Sequence, residues 1–468
     1  MSEARGYDLA IVGSGSAGFA AAIRATRLGA SVAMVERGVV GGTCVNVGCI
    51  PSKALLAAAA QRYRGLHSPF PGIETSAEAV DLPSLVTGKD EIVCSLRRHK
   101  YLDLVDHYGF ELVHGSASFA DAETLVVDGE PLRAERYLLA TGASPAVPPI
   151  DGLAEVGFLT STTALELTEL PRRLVVIGGN YVGLELAQLF TRLGTEVTLV
   201  EALDRVAPFD EPQASAVLSE ALRGEAITVV TGALVERVER HHGDTLVHAR
   251  VDGERTILAT DEILVATGRR ANTETLGLER AGIATTPLGQ IAIDATLRST
   301  NPRVYAAGDV TTAPQFVYVA AAMGAAAAEN ALTASAHTID YQALPRVTFT
   351  SPQLAAVGLT DEQAREHGLD CSCRTLELSH VPRAIVERDT CGIVKLVVER
   401  TTRRIVGATV VAEGAGDVIL AAVYAVRFGL TLDQLTATWA PYLTMSEALK
   451  LAAQTFDSEV ATLSCCAA

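Results

Sequence analysis

Two pairs of cysteines carry the chemistry open to this chain. In GGTCVNVGCIPSKALLAAAAQ, residues 41–61, Cys44 and Cys49 are separated by four residues in a glycine-rich segment that leads into a helix. Pro51 suits a first helical turn, and a helix N-terminus lowers the pKa of a thiol held near it. Lys53 follows Cys49 by four positions, so one helix face can carry both the thiol and a cation. Glycines and a lysine surround the pair, not a core, so two purely structural cysteines fit poorly. A low-pKa thiolate beside a cation can open as a disulfide or donate charge to an adjacent electron acceptor. The second pair, Cys465 and Cys466, closes the chain in TLSCCAA. Exposed thiols at a terminus are a liability. The tail therefore reads as a vicinal disulfide, as a tolerated accident, or as a working pair.

The elements that must position these thiols are nucleotide-binding. YDLAIVGSGSAGFAAAIRATRLGASVAMVE, from Tyr7 to Glu36, reads as strand, glycine turn, alanine-rich helix and second strand. Gly13, Gly15 and Gly18 fit G-x-G-x-x-G: one for the tight turn, one for backbone approach to a pyrophosphate, one for helix-on-strand packing. The helix N-terminus then faces the phosphates, and Glu36 is placed to accept from a ribose. RLVVIGGNYVGLELAQLFTRLGTEVTLVE, from Arg173 to Glu201, repeats the unit with Gly178 and Gly183, and the interval from Gly183 to Glu201 equals that from Gly18 to Glu36. Asn180 stands where the middle glycine belongs. Glu201 suits the 2′-hydroxyl of NADH and repels the 2′-phosphate of NADPH. Arg205 offsets this in part, while Asp204 and Asp210 oppose it, so NADH is favoured. Two such sites suggest a bound flavin and a diffusible nicotinamide. Gly42 and Thr43, Thr141 and Gly142 in LLATGASP, Gly268 in ILVATGRR and Asp309 in VYAAGDVT complete the expected cofactor-binding positions. A helix-capping role for Asp309 fits its local pattern equally well.

GGTCVNVGCIPSK, the two fingerprints and YAAGDV together resemble the FAD-dependent pyridine nucleotide-disulfide oxidoreductases, over essentially the whole chain. The resemblance implies an α/β protein: two Rossmann-like dinucleotide-binding domains, for FAD and NAD(P), plus a C-terminal α+β dimerisation domain. It implies FAD segments at residues 1–150 and 267–340, an NAD(P) domain at 151–266 and an interface domain at 346–468. It makes Cys44 the outer thiol that meets substrate and Cys49 the inner thiol against the flavin. Lys53 is then paired with Glu185 near the reactive edge of the flavin ring, and Tyr181 lies over the flavin face where nicotinamide docks. As a bare residue, Tyr181 is equally a packing aromatic at a turn.

The C-terminus departs from the disulfide-reducing members. Those carry a His-Pro near the end, and the imidazole shuttles protons for substrate thiols. WAPYLTMSEALKLAAQTF, residues 439–456, puts Tyr442 at that position when Glu447 is aligned with the family glutamate, and no histidine follows Trp439. A phenol of pKa about 10 is a poor shuttle at neutral pH. PYLTMSEALKLAAQTF with LSCCAA, DVTTAPQFVYVAAA and VPRA resembles the branch of the family that reduces Hg(II). Hg(II) is soft and prefers two thiolates. That branch implies that Cys465 and Cys466 pass the ion to Cys44 and Cys49, with Tyr181 and Tyr442 helping to hold it. Tyr442 and the tail pair are then contributed by the other subunit of a homodimer. Two alternatives are a dihydrolipoyl dehydrogenase-like disulfide reductase, which lacks a visible base, and a thiol-based mercury-sequestering flavoprotein, which would not require the second fingerprint.

Composition bounds the rest. At 468 residues two or three domains are expected. A net charge of −17 argues against nucleic acid or an anionic membrane as the main partner. No stretch reads as a signal peptide, and the alanine-rich run from Val317 to Ala334, interrupted by Glu329 and Asn330, reads as a packed internal helix. The expected location is the cytoplasm. Relatives with an extra N-terminal Cys-x-x-Cys domain are known in the branch; here the chain opens at the FAD strand, so delivery is expected to rest on the tail pair or on outside carriers. Cys371 and Cys373 form a C-x-C, and Cys94 and Cys391 stand alone. All four read as structural, with adventitious mercury binding the other use of the C-x-C.

Overall fold

A computed structural model describes residues 6–460; Cys465 and Cys466 lie outside the described residues. The chain forms two compact units, each assembled from distant segments. One contains residues 6–54, 84–147 and 268–339, the other residues 55–83, 148–267 and 340–460.

The first unit is built on a five-stranded parallel sheet in the order Val304–Ala306, Ala134–Leu139, Tyr7–Val12, Val32–Glu36, Glu111–His114. Parallel strands are covered on both faces and so are apolar without alternation; Leu9, Ala10 and Ile11 are fully buried. The helix Ser16–Arg27 crosses between the first two strands and ends before Gly29, whose φ of +83° stops it. It packs on the helix Val317–Leu332 so closely that a Cβ on Gly324 would stand 2.0 Å from the Ala17 carbonyl oxygen. Arg24 and Glu329 close that contact at 2.8 Å. The glutamate that interrupts the alanine run is thus an interhelical tie. Among the described residues the one run long and apolar enough for a membrane span is Gly42–Leu66. It is broken into two helices, Gly42–Asn46 and Cys49–Leu66, at Val47 and Gly48.

The second unit holds three sheets. A parallel sheet runs Thr228–Val230, Glu196–Val200, Arg173–Ile177, Glu262–Val265, Leu159–Thr160, with an antiparallel meander from Ala233 to Thr260 beside it. An antiparallel sheet runs Pro345–Thr348, Gln353–Gly358, Ile405–Ala412, Ile393–Glu399, Cys371–Glu377. The helices Ala415–Arg427 and Glu447–Gln454 bury Val418, Ile419, Ala422, Leu449 and Ala452 in the same core as Val394, Leu396 and Val410 of this sheet. The predicted Thr360–Gln363 capping box is present at the helix Asp361–Glu366. A buried ion pair ties the antiparallel sheet to the start of the helix Pro212–Gly224: Lys395 Nζ donates to Glu211 Oε2 at 2.7 Å, and Glu211 Oε1 accepts from the Asp361 N–H at 2.8 Å.

Candidate active site

The redox segment is shaped by glycines at close approach. Gly41 has φ +108°, and a Cβ there would meet Val45 at 2.6 Å; a Cβ on Gly48 would stand 2.9 Å from the Thr43 carbonyl oxygen. The chain therefore turns tightly from the helix Gly42–Asn46 into the helix Cys49–Leu66 and brings the two sulfurs together. Both cysteines are free thiols, Cys44 half-buried and Cys49 exposed, and they are hydrogen-bonded to each other. That bond, then burial, then the charge of Cys49 hold the Cys44 thiol well above the ordinary thiol range, against a smaller pull from Lys53. The helix-dipole lowering expected of the segment therefore does not govern Cys44. The physical reason is coupling: a pair this close releases one proton, and the second is held by the first thiolate.

The first fingerprint fits the pyrophosphate and ribose of a dinucleotide. Gly13 (φ +104°) abuts the Ala140 carbonyl, where a Cβ would stand at 2.4 Å, and a Cβ on Gly18 would lie 2.0 Å from the Gly13 oxygen. A Cβ on Gly42 would strike Gly15 Cα at 2.5 Å, so backbone faces backbone where phosphates would lie. Glu36 Oε2 accepts from the Ser14 N–H at 3.0 Å and the Ser14 hydroxyl at 2.6 Å. Its Oε1 accepts from the Gly38 N–H at 2.7 Å, and a carboxylate oxygen has lone-pair capacity beyond one such bond for a ribose hydroxyl. Thr141 and Gly142 are stitched to Asn272, which donates from Nδ2 to the Thr141 carbonyl at 2.9 Å and from its N–H to the Gly142 carbonyl at 2.9 Å. Gly268 (φ +121°) accepts from the Ala146 N–H at 2.9 Å.

Asp309 is mostly buried, and burial pushes its carboxyl up against the opposing pull of Arg269, whose Nε lies 3.9 Å away. Arg269, which also donates to the Ala143 carbonyl, was not singled out from sequence; its signal was its place directly after Gly268 in ILVATGRR. Tyr101 was also missed. It sits on a π-helical turn, Arg98–Leu102, edge-on to Phe19 at 4.8 Å. Burial and the neighbouring charge of Cys44 raise its phenol, and Ser16 hydrogen-bonds to it. Nothing local in the sequence marks this residue.

In the second fingerprint Gly178 (φ +112°) and Gly183 make the same backbone contacts, a Cβ on Gly183 standing 1.8 Å from the Gly178 oxygen. Asn180 has φ −106° and ψ −173°, close to Gly15 at −76° and −173°. That conformation needs no glycine, which is why the substitution is tolerated. Its Oδ1 is buried without a hydrogen-bond partner among the described residues, a polar atom at the start of the helix Tyr181–Leu193 that suits a polar ligand. Glu201 is turned onto the loop: Oε2 accepts from the Gly179 N–H at 2.6 Å and Oε1 from the Leu203 N–H at 2.8 Å. Asp210, expected with Asp204 to oppose the pull of Arg205 on a 2′-phosphate, is engaged elsewhere. It is buried, taking the Tyr181 hydroxyl at 3.3 Å on one oxygen and Arg346 at 3.4 Å on the other. Burial raises both the Tyr181 phenol and the Asp210 carboxyl. Glu185 is buried and accepts from the Phe349 N–H at 2.9 Å.

Tyr442 is exposed, as is Trp439 beside it. Glu447, the glutamate aligned with the histidine's partner, has a buried Oε2 with no hydrogen-bond partner among the described residues, and burial raises its carboxyl.

The profile of the family described as pyridine nucleotide-disulphide oxidoreductase matches residues 7–324, and that of the family's dimerisation domain matches residues 344–453. The chain belongs to this family. Among its relatives in the pyridine nucleotide-disulphide oxidoreductases, a mercuric reductase of Streptomyces lividans is 55% identical over 99% of this chain and 98% of its own length. A mercuric reductase of Staphylococcus aureus is 50% identical, over 98% of this chain and 84% of its own. Similar solved structures include the HOCl-induced flavoprotein disulfide reductase RclA of Escherichia coli as a Cu(II) complex, with TM-score 0.87, 31% identity and coverage of 96% of this chain and 99% of that one. LpdA of Mycobacterium tuberculosis follows at TM-score 0.86 and 27% identity, with the same coverage. FAD and NAD(P)H are the cofactors that go with this family, and the two fingerprints fit them.

Proposed function

We propose that the chain is an FAD- and NAD(P)H-dependent mercury(II) reductase that works as a homodimer on cytoplasmic Hg(II)–thiol complexes, with neither nucleic acid nor membrane as a partner. One observation carries this reading. The dithiol Cys44–Cys49 is set at a glycine cradle for a dinucleotide, while Tyr442 replaces the histidine that disulfide reduction needs. Curated relatives of 50–55% identity over nearly the whole chain are mercuric reductases.

In this reading the tail thiols Cys465 and Cys466 of one subunit exchange onto Hg(II), displacing the small thiolates, and present it to the partner's site. Cys44, as the outer thiol, takes the ion first, and Cys49 completes a two-thiolate complex. Tyr181 and the partner subunit's Tyr442 orient it through their phenol oxygens. Lys53, one helical turn beyond Cys49, supplies the cation on the side of the redox pair. When bound, FAD relays two electrons from NAD(P)H to the metal, giving Hg(0). No proton is consumed at the metal, so the missing imidazole costs nothing. Glu201, held on the phosphate loop by two backbone N–H groups, sets a negative charge where a 2′-phosphate would lie and favours NADH.

The test is nicotinamide oxidation in excess low-molecular-weight thiol, with and without Hg(II), for NADH and NADPH. Turnover that requires Hg(II), releases volatile mercury and collapses in Cys465→Ala/Cys466→Ala is expected. Inhibition by Hg(II), with a disulfide turned over instead, would sink the reading.

A further inference from the structure

The strand Cys371–Glu377 is the edge strand of the antiparallel sheet. Cys371 and Cys373 alternate onto one face, opposite Glu399 and Val397 of the neighbouring strand. Both are free and half-buried, so neither is locked in a core nor used in a disulfide. We propose that Cys371 and Cys373 form a second binding site, sharing no residue with the redox pair, for a soft cation that takes two thiolates in a line.

Alternate residues of a strand lie about 6.6 Å apart along the chain. Two metal–thiolate bonds of about 2.3 Å laid end to end span about 4.6 Å. Side-chain rotation closes that difference, and the two thiols already feel each other electrostatically. The surroundings favour a cation. Cys371 lies in the field of Asp361, Glu399 and Asp370, and Cys373 is hydrogen-bonded to Asp361. Lys395, the nearby positive charge, is neutralised by Glu211 at 2.7 Å.

The donor count selects the ion. Among the described residues no three His, Cys, Asp or Glu side chains are arranged to hold a metal. A tetrahedral ion such as Zn(II) therefore lacks ligands here, whereas Hg(II), Cu(I) and Ag(I) are satisfied by two sulfurs. Binding is a ligand exchange without redox change: the two protein thiols replace two small thiolates on the metal and hand them their protons. The second exchange is intramolecular, so the strand competes with free monothiol through its effective concentration. Cys94 and Cys391, standing alone, have no such advantage.

The experiment uses full-length holoenzyme without nicotinamide, loaded with Hg(II) in excess monothiol and desalted. Bound mercury per subunit and site-resolved alkylation of Cys371 and Cys373 are measured. Wild type is expected to hold one more ion than Cys371→Ser/Cys373→Ser, with both thiols protected about tenfold or more. Each single serine variant should lose as much mercury as the double. Equal stoichiometry in wild type and double variant, or single variants that each retain the ion, would overturn the proposal, as would protection of the pair by Zn(II). Neither readout needs the metal to be reduced, so the outcome is separable from that of the proposed reductase activity.

Discussion

At the scale of single residues, the protons decide what the site does. The Cys44 thiol is held above the ordinary range first of all by its hydrogen bond with Cys49. Cys49→Ala removes the largest cause, so Cys44 should alkylate faster near pH 8, by about tenfold for each unit its pKa falls, as read by mass spectrometry of the reduced protein. An unchanged rate would show that burial alone sets the thiol. Asp210 behaves differently. Burial outweighs Arg346 and raises its carboxyl in the fold. A raised carboxyl contributes stability that is complete below the ordinary carboxylate range and is lost as pH rises through the folded value. Asp210→Asn should therefore gain on wild type as pH rises above the ordinary carboxylate range, because Asn cannot ionise. Thermal unfolding followed from that range upward checks the sign. The same carboxylate holds the Tyr181 hydroxyl. If Tyr181 gates the nicotinamide, Tyr181→Phe and Asp210→Ala should change its KM alike, and the double variant should add little.

At the scale of elements, two glycines of equal φ have unequal jobs. Gly42 and Gly142 both have φ +68°, but a Cβ on Gly42 would strike Gly15 Cα at 2.5 Å, while one on Gly142 meets nothing within 4 Å. Gly142→Ala should cost about 1–2 kcal/mol of backbone strain without displacing any described protein atom. Gly42→Ala must displace the loop that the first fingerprint faces. Its FAD content after purification, from the absorbance ratio of flavin to protein, should fall well below that of wild type. The buried pair Lys395–Glu211 is the other element-level joint. Lys395→Met strands a buried carboxylate and should cost about 3–5 kcal/mol, measured by denaturant unfolding.

At the scale of the whole molecule, the helix Ala415–Arg427 and the residue after it expose Leu420, Tyr424 and Phe428 on one stripe, the last at 72%. The family's dimerisation domain spans this stretch. If the tail of one subunit serves the site of the other, Cys44→Ser subunits mixed with Cys465→Ala/Cys466→Ala subunits should recover about one quarter of wild-type turnover. Half the dimers are then mixed, and each has one complete site. Either variant alone should be inactive. No recovery on mixing would mean that each tail serves its own subunit.

The amino-acid order by itself determined the α/β class, both fingerprints, the thiol pair and the helix that follows it. These are local signals: glycines forced by close backbone contact, unbroken apolar strands, and a proline in a first turn. Even the alanine-rich helix was legible, because Glu329 has no place in a lipid-facing run. Only the tertiary structure decided that Cys49 holds the Cys44 thiol high, that Asp210 turns to Tyr181 and Arg346, and that Arg269 lies beside Asp309. It also decided that Asn180 can replace a glycine, and that Glu447 retains a buried oxygen without the histidine that would use it. Each of these depends on burial and on the φ and contacts that packing imposes, in several cases between segments far apart in the chain, and periodicity along a sequence carries no record of either.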